Sequence, residues 1–214
     1  AELLKIPLPV SSNRFITSSM SAVENIMIPR MLVLGGAGYR QSMEIFGKMA
    51  GMAMPLLFFP SIITSSLATT LVPAISEAIS LRNYRSLNNR ISKSIQIAFM
   101  VGFVFTAVFL AYSGRISDII YRREDVGDIL YMLSFTCVFL YLQQILVGVL
   151  NGLGKQGISL RNSIIGYIIR IGFVYLCIPR YGIKGYIWGI AASFALISVL
   201  NLSAVVRSTG LVLD

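Results

Sequence analysis

The chain has 214 residues, of which 56% are hydrophobic and 13% charged, about half the charged share typical of a soluble domain. Its net charge of +9 is spread over short loops, which excludes a nucleic-acid-binding patch and points to membrane lipids and anionic lipid substrates as partners. There is no histidine, so no histidine base or ligand exists, and the remaining acids form no catalytic constellation; neither enzymatic activity nor a cofactor is expected.

Apolar runs long enough to cross about 30 Å of hydrocarbon, which takes roughly 20 helical residues, recur six times. The predicted spans are 8–34, 49–79, 94–114, 126–152, 158–179 and 185–207. They are neither short nor alternating, as barrel strands would be. The expected fold class is therefore an all-α membrane protein, a single bundle of six transmembrane helices with no tract left for a soluble domain. The chain begins Ala1-Glu2 and is expected to be a piece of a longer protein.

The first span contains SSNRFITSSMSAVENIMIPRML. Arg14, Thr17, Ser18, Ser21, Glu24 and Asn25 recur at steps of three or four, which gathers them on one face. Such a stripe inside a membrane faces protein or water. Glu24 and Arg30 stand six residues apart and point in different directions. Pro29 between them frees a backbone carbonyl that can coordinate an ion or substrate, while Arg30 either turns inward or snorkels to the nearer surface.

The second span carries PLLFFPSIITSSLATTLVPAISEA. Pro55, Pro60 and Pro73 each remove a backbone donor, and the surrounding hydroxyls can take up the groups released. A bent, gate-lining helix is one reading, and static kinks that only shape the bundle are the other. Next comes LRNYRSLNNRISKSI, whose Leu81, Tyr84, Leu87, Ile91 and Ile95 alternate with Arg82, Arg85, Arg90 and Lys93. Residues 81–93 are expected to form an amphipathic helix lying on an anionic leaflet.

The third span is featureless, and RISDIIYRREDVGD after it reads as a second interfacial connection. Glu77 and the cluster Glu124, Asp125 and Asp128 are expected to be solvated ends, not metal ligands. Paired glutamines at 143 and 144 mark the fourth span. Cys137 and Cys177 fall inside spans and read as packing residues. GLGKQG at 152–157 lacks the Ser or Thr and the preceding strand of a phosphate loop, so it reads as a glycine helix stop.

Arg170 lies near the midpoint of the fifth span. An arginine there costs at least about 2.5–3.5 kcal/mol, so it needs a partner or a water-filled cavity. The partner reading is an ion pair with Glu24. The functional reading is a cationic contact for an anionic substrate, since guanidinium grips phosphate with two parallel hydrogen bonds. Gly185 and Gly189 open the sixth span at a spacing that permits close helix packing. With a cytoplasmic start, that side holds nine Lys or Arg against eight on the other, so charge scarcely orients the bundle.

Several of these segments carry a resemblance. GKMAGMAMPLLFFPSIITSSLATTLVPAISEA, NYRSLNNRISKSIQIA, FLYLQQILVGVLNGLGK and YGIKGYIWGI resemble the stage V sporulation protein B group. That group is the polysaccharide-transporter branch of the multidrug/oligosaccharidyl-lipid/polysaccharide exporter superfamily, related to lipid II flippases and multidrug exporters of the MATE type. The resemblance runs from Ile6 to about Gly210 and is most specific at 51–78 and 141–155.

It implies that the six spans are the second, C-terminal lobe of a 12- to 14-helix transporter in a bacterial cytoplasmic membrane, with an N-terminal six-helix lobe as partner. The implied activity is movement of lipid-linked cell-wall or polysaccharide precursors, of peptidoglycan or spore-cortex type, by alternating access around a cationic cavity. The implied substrate is a lipid-linked oligosaccharide of undecaprenyl type, with Arg30 and Arg170 as candidate contacts. Cation coupling in relatives implies Glu24, Asn25 and Asn162 as a coupling set, and Pro29, Pro55, Pro60 and Pro73 fit gating positions. Two readings compete: a cation-coupled drug exporter, which favours acids over arginines in its cavity, and a non-transporting scaffold for cell-wall enzymes.

Overall fold

The computed structural model describes the backbone of residues 7–123 and 125–210, and side chains from residue 18 onward within them. In chain order the helices are α1 (Pro7–Leu34), α2 (Tyr39–Lys48), α3 (Met54–Phe58), α4 (Ser61–Ser80), α5 (Tyr84–Tyr121), α6 (Asp125–Ser134), α7 (Cys137–Gly152), α8 (Gln156–Tyr181) and α9 (Ile183–Thr209). A π-helical turn, Met49–Ala53, joins α2 to α3.

Four helices among the described residues, α4, α5, α8 and α9, are long and apolar enough to cross a membrane, and α6 with α7 makes a fifth when the bent pair is counted as one span. Although α1 is 28 residues long, its ionisable residues and polar stripe keep it out of that class. Large apolar side chains point outward along the bundle, among them Met100, Phe103, Ile119, Leu176 and Trp188, as a lipid-facing surface requires.

The second predicted span, 49–79, is not one helix. Pro55 cannot donate to residue 51, and just before it the backbone widens to a five-residue repeat, with the Met54 N–H bonded to the Met49 carbonyl. A second break falls at Phe59–Pro60, where Pro60 again lacks a donor. Pro73, in contrast, lies inside an unbroken α4, and Pro29 lies inside an unbroken α1.

The expected surface helix at 81–93 is corrected as well. Residues from Tyr84 onward are the first turns of the 38-residue α5, capped by the Asn83 side chain, which accepts from the Ser86 N–H at 3.0 Å. Leu87, Ile91 and Ile95 pack against Leu71, Ile75, Ile145 and Val149 of α4 and α7. From Leu87 onward the apolar stripe that fitted a leaflet meets protein, while Leu81 and Tyr84 stay exposed. The third span, predicted at 94–114, is likewise only the middle of α5.

The fourth predicted span, 126–152, divides into α6 and α7, bent by 55°. Side chains enter the helical ladder at the bend: Ser134 Oγ donates to the Tyr131 carbonyl at 2.6 Å, and Thr106 Oγ1 to the Ser134 carbonyl at 3.1 Å. Beyond it α7 packs on α4, α5 and α9. A Cβ on Gly148 would lie 2.6 Å from the Ala68 carbonyl oxygen, so glycine is what allows α4 and α7 their approach. The close packing that Gly185 and Gly189 permit is made with α8: Gly185 faces the Cys177 backbone and Gly189 the Phe173 side chain.

Candidate functional site

The polar stripe of α1 turns toward α8. Side chains of Arg14 and Thr17 lie outside the described residues, but Ser21, Glu24 and Asn25 border a hollow of about 510 Å³. Glu24 is 3% exposed, a degree of burial that demands a charged partner. Arg170 supplies it, with Nε donating to Glu24 Oε1 at 2.6 Å. The Tyr186 hydroxyl lies 3.4 Å from the other carboxylate oxygen. One turn earlier on α8, the Tyr167 ring lies under the guanidinium, 4.5 Å from Cζ to the centroid, a cation–π contact. Ser21 Oγ stands 3.4 Å from the Tyr167 hydroxyl. Three helices thus converge on one ion pair, the pairing expected for Arg170.

The other candidates scatter around that pair. Asn25 is exposed and borders both this hollow and a neighbouring one of about 550 Å³ that holds Pro29 and Arg30. Arg30 is exposed and has no carboxylate within ion-pair distance among the described residues. Asn162 is not with them: it is buried and donates from Nδ2 to Asn201 Oδ1 of α9 at 2.9 Å. Ser163, one position on, borders the hollow in its place. Asn162 stands eight residues before Arg170, roughly 12 Å along the helix axis at 1.5 Å per residue. The structure therefore brings Glu24 and Asn25 to one hollow and sets Asn162 against α9. Its Oδ1 and the Asn201 Nδ2 are buried without partners among the described residues.

The hollow's far wall comes from the broken segment, through Met49, Met54 and Phe58. Two tyrosine hydroxyls brace the breaks. Tyr121 of α5 donates to the Met52 carbonyl in the π turn at 3.3 Å, and Tyr141 of α7, fully buried, donates to the Leu57 carbonyl at 2.9 Å. Ser61 Oγ takes the next carbonyl, that of Phe58, at 2.6 Å. The Leu57 and Phe58 carbonyls are the acceptors that the end of α3 leaves without helical partners. Sequence reasoning missed both tyrosines; a tyrosine amid FLYLQQ signals that its hydroxyl needs an acceptor, but not which one.

Where α2 meets the start of α6, Lys48 bridges Asp125 at 2.5 Å and Glu44 at 2.7 Å, and Arg123 reaches Glu44 at 3.5 Å. The hydrogen bond from Lys48 lowers the Glu44 carboxyl below the ordinary range, while its two acceptors raise the Lys48 ammonium. This cluster ties α2, next to the π turn, to the start of α6. Glu124 lies outside the described residues.

Comparison with known proteins gives these elements a family. The family described as lipid II flippase MurJ matches residues 52–211. Stage V sporulation protein B of Bacillus subtilis (strain 168) is 26% identical over 206 residues, which is 95% of this chain and 40% of that protein. Sporulation protein YkvU of the same organism is 22% identical over 208 residues, 96% of this chain and 47% of that protein. Lipid II flippase MurJ of B. subtilis is 25% identical over 122 residues, 54% of this chain and 22% of that protein.

The chain thus spans less than half the length of these relatives. Its fold matches a multidrug resistance MATE family transporter of the MOP superfamily in an inward-facing conformation, with a TM-score of 0.65 at 15% identity over 84% of this chain and 41% of that one. With most of its length matched, from the π turn to the end of α9, the chain belongs to the lipid II flippase MurJ family.

Proposed function

We propose that this chain is the second, C-terminal lobe of a multi-pass transporter of the bacterial cytoplasmic membrane. The transporter moves lipid-linked cell-wall or polysaccharide precursors, of peptidoglycan or spore-cortex type, by alternating access against an N-terminal lobe of six helices. The observation that carries this reading is the polar hollow itself: a buried ion pair, an exposed asparagine and a broken helix gathered on one face of an otherwise apolar bundle. An intramembrane charge cluster of this kind marks a substrate or ion path, and family membership gives the class of substrate.

Within that reading the two arginines have different tasks. Arg30, exposed beside Asn25, meets the pyrophosphate of the substrate. Arg170 is neutralised by Glu24 and reaches an anion only when that pair opens. Glu24 and Asn25 form the coupling site, since both border the hollow, and Asn162 instead joins α8 to α9. Met49–Phe58 is the gate, with its hinges at Pro55 and Pro60; Pro29 and Pro73 shape their helices.

The test uses the full-length protein reconstituted in vesicles with a fluorescent lipid-linked disaccharide-peptide substrate. Wild type moves the lipid across the bilayer, and Arg30→Ala slows that movement at least tenfold while inserting normally. No movement by wild type, or an unchanged rate in Arg30→Ala, contradicts the reading or the role of Arg30, respectively.

A further inference from the structure

The charged hollow continues into a second one. Between α4 and α7 lies a cavity of about 560 Å³, within the range of about 300–1,000 Å³ usual for small-molecule sites. Phe58, Gln143 and Phe194 border both, so the two form one trough. Their chemistry differs sharply. One part holds Glu24 and Arg170, whereas no ionisable residue among those described borders the other.

The polar groups of the uncharged part come from two helical stripes. On α4, Ser65 and Thr69 lie one turn apart. On α7, Gln143, Gln144 and Asn151 share the side that faces them. The hydroxyl protons are already engaged: Ser65 donates to the Ile62 carbonyl at 3.0 Å and Thr69 to the Ser65 carbonyl at 2.9 Å. Both hydroxyls therefore offer only lone pairs to a ligand. The Gln144 side-chain amide lies 2.5 Å from Thr64 Oγ1, a contact that fixes it in the wall. Gln143 and Asn151 form no side-chain hydrogen bond among the described residues, so each offers a donor pair and an acceptor.

An array of uncharged acceptors and amide donors over an apolar floor suits a ligand with many hydroxyls and no charge. An ion seated there would find no countercharge. A sugar ring offers hydroxyls to the lone pairs, accepts from the amides and lays its C–H face on the floor. Gly148 keeps that floor low by letting α4 and α7 close beneath it.

We infer that the α4–α7 trough seats the sugar portion of the substrate while its pyrophosphate lies toward the charged hollow, an inference that rests on the lipid-linked substrate proposed above. Phe58, Gln143 and Phe194 divide the two subsites.

The test measures binding of two probes to the full-length protein in nanodiscs: a polyprenyl pyrophosphate bearing a disaccharide, and the same polyprenyl pyrophosphate without sugar. Asn151→Leu is expected to weaken the sugar-bearing probe about tenfold, the loss of one or two hydrogen bonds. Binding of the sugar-free probe should stay within about twofold of wild type, which also reports folding. Ser65→Ala with Thr69→Val, at exposed positions whose donors serve only their own helix, provides a second set that keeps the packing intact.

A selective loss for the sugar-bearing probe in either set upholds the subsite. Equal losses for both probes in both sets, as expected if these residues pack against the rest of the protein, overturn it, as does no change in either. Wild type that binds both probes equally well overturns the sugar subsite alone. Wild type that binds neither overturns the lipid-linked substrate reading beneath it.

Discussion

Residues 39–80 and α5 are neighbours in the chain that solve opposite problems. The former has three prolines and falls into α2, a π turn, α3 and α4. The latter has no proline and runs 38 residues without a break. Met49, Met54, Phe58, Ser65 and Thr69 of the broken segment border the two polar hollows, and no α5 residue does. The breaks therefore sit where the interior is polar, and the straight helix backs the apolar core. The two are also joined: Tyr121 of α5 holds a carbonyl of the π turn, as Tyr141 of α7 holds one at the end of α3. Unbroken helices supply the donors that the broken one leaves wanting.

The comparison breaks most readily at the hollow's own charge pair. Glu24→Ala leaves Arg170 buried without its carboxylate, and removing one partner of a buried pair costs about 3–5 kcal/mol. The unfolding midpoint of the full-length protein in detergent should fall accordingly. Adding Arg170→Ala should recover part of the loss, because the stranded charge is then gone.

A proline placed in the straight helix should cost nearly as much. Val104→Pro, at a lipid-facing position in the middle of α5, removes a helical hydrogen bond and clashes with the carbonyl of residue 100, at about 3 kcal/mol or more. Insertion yield and the same unfolding midpoint report it. Tolerance of that proline would mean that α5 is no more dependent on continuity than residues 39–80.

A smaller change sharpens the link between the two regions. Tyr141→Phe keeps the ring and deletes the donor to Leu57, which leaves a buried carbonyl without that bond at about 1–3 kcal/mol. Amide exchange should rise across 54–62 and not across α5. Uniform loss of protection would mean that Tyr141 supports the core at large.

Much of this organisation was legible in the residues alone. The cost of an arginine at mid-span called for a partner or a cavity, and the pair with Glu24 was one of the two readings it left for Arg170. That the last helix packs closely was legible in Gly185 and Gly189, though not that α8 is its partner. The class of fold followed from charge-free runs of membrane length.

What could not be read had a common cause: the pattern allowed more than one partner. Leu87, Ile91 and Ile95 form the same stripe whether it meets a leaflet or α4 and α7, and nothing between Lys93 and Ser94 marks a helix end. Asn162 is polar in an apolar helix, but its partner Asn201 is 39 residues away, and only the fold brings them together. Prolines announced breaks without telling which would open. Pro60 ends a helix, whereas Pro73, with the same missing donor, is accommodated inside α4.

That last distinction gives the most direct test. The account holds that the break at Phe59–Pro60 serves movement of the segment lining the hollow. Pro60→Ala in the full-length protein, reconstituted with a fluorescent lipid-linked substrate, should slow transbilayer movement at least tenfold while insertion and substrate binding stay at wild-type levels. Movement at the wild-type rate would show the break to be a static kink and would contradict the account.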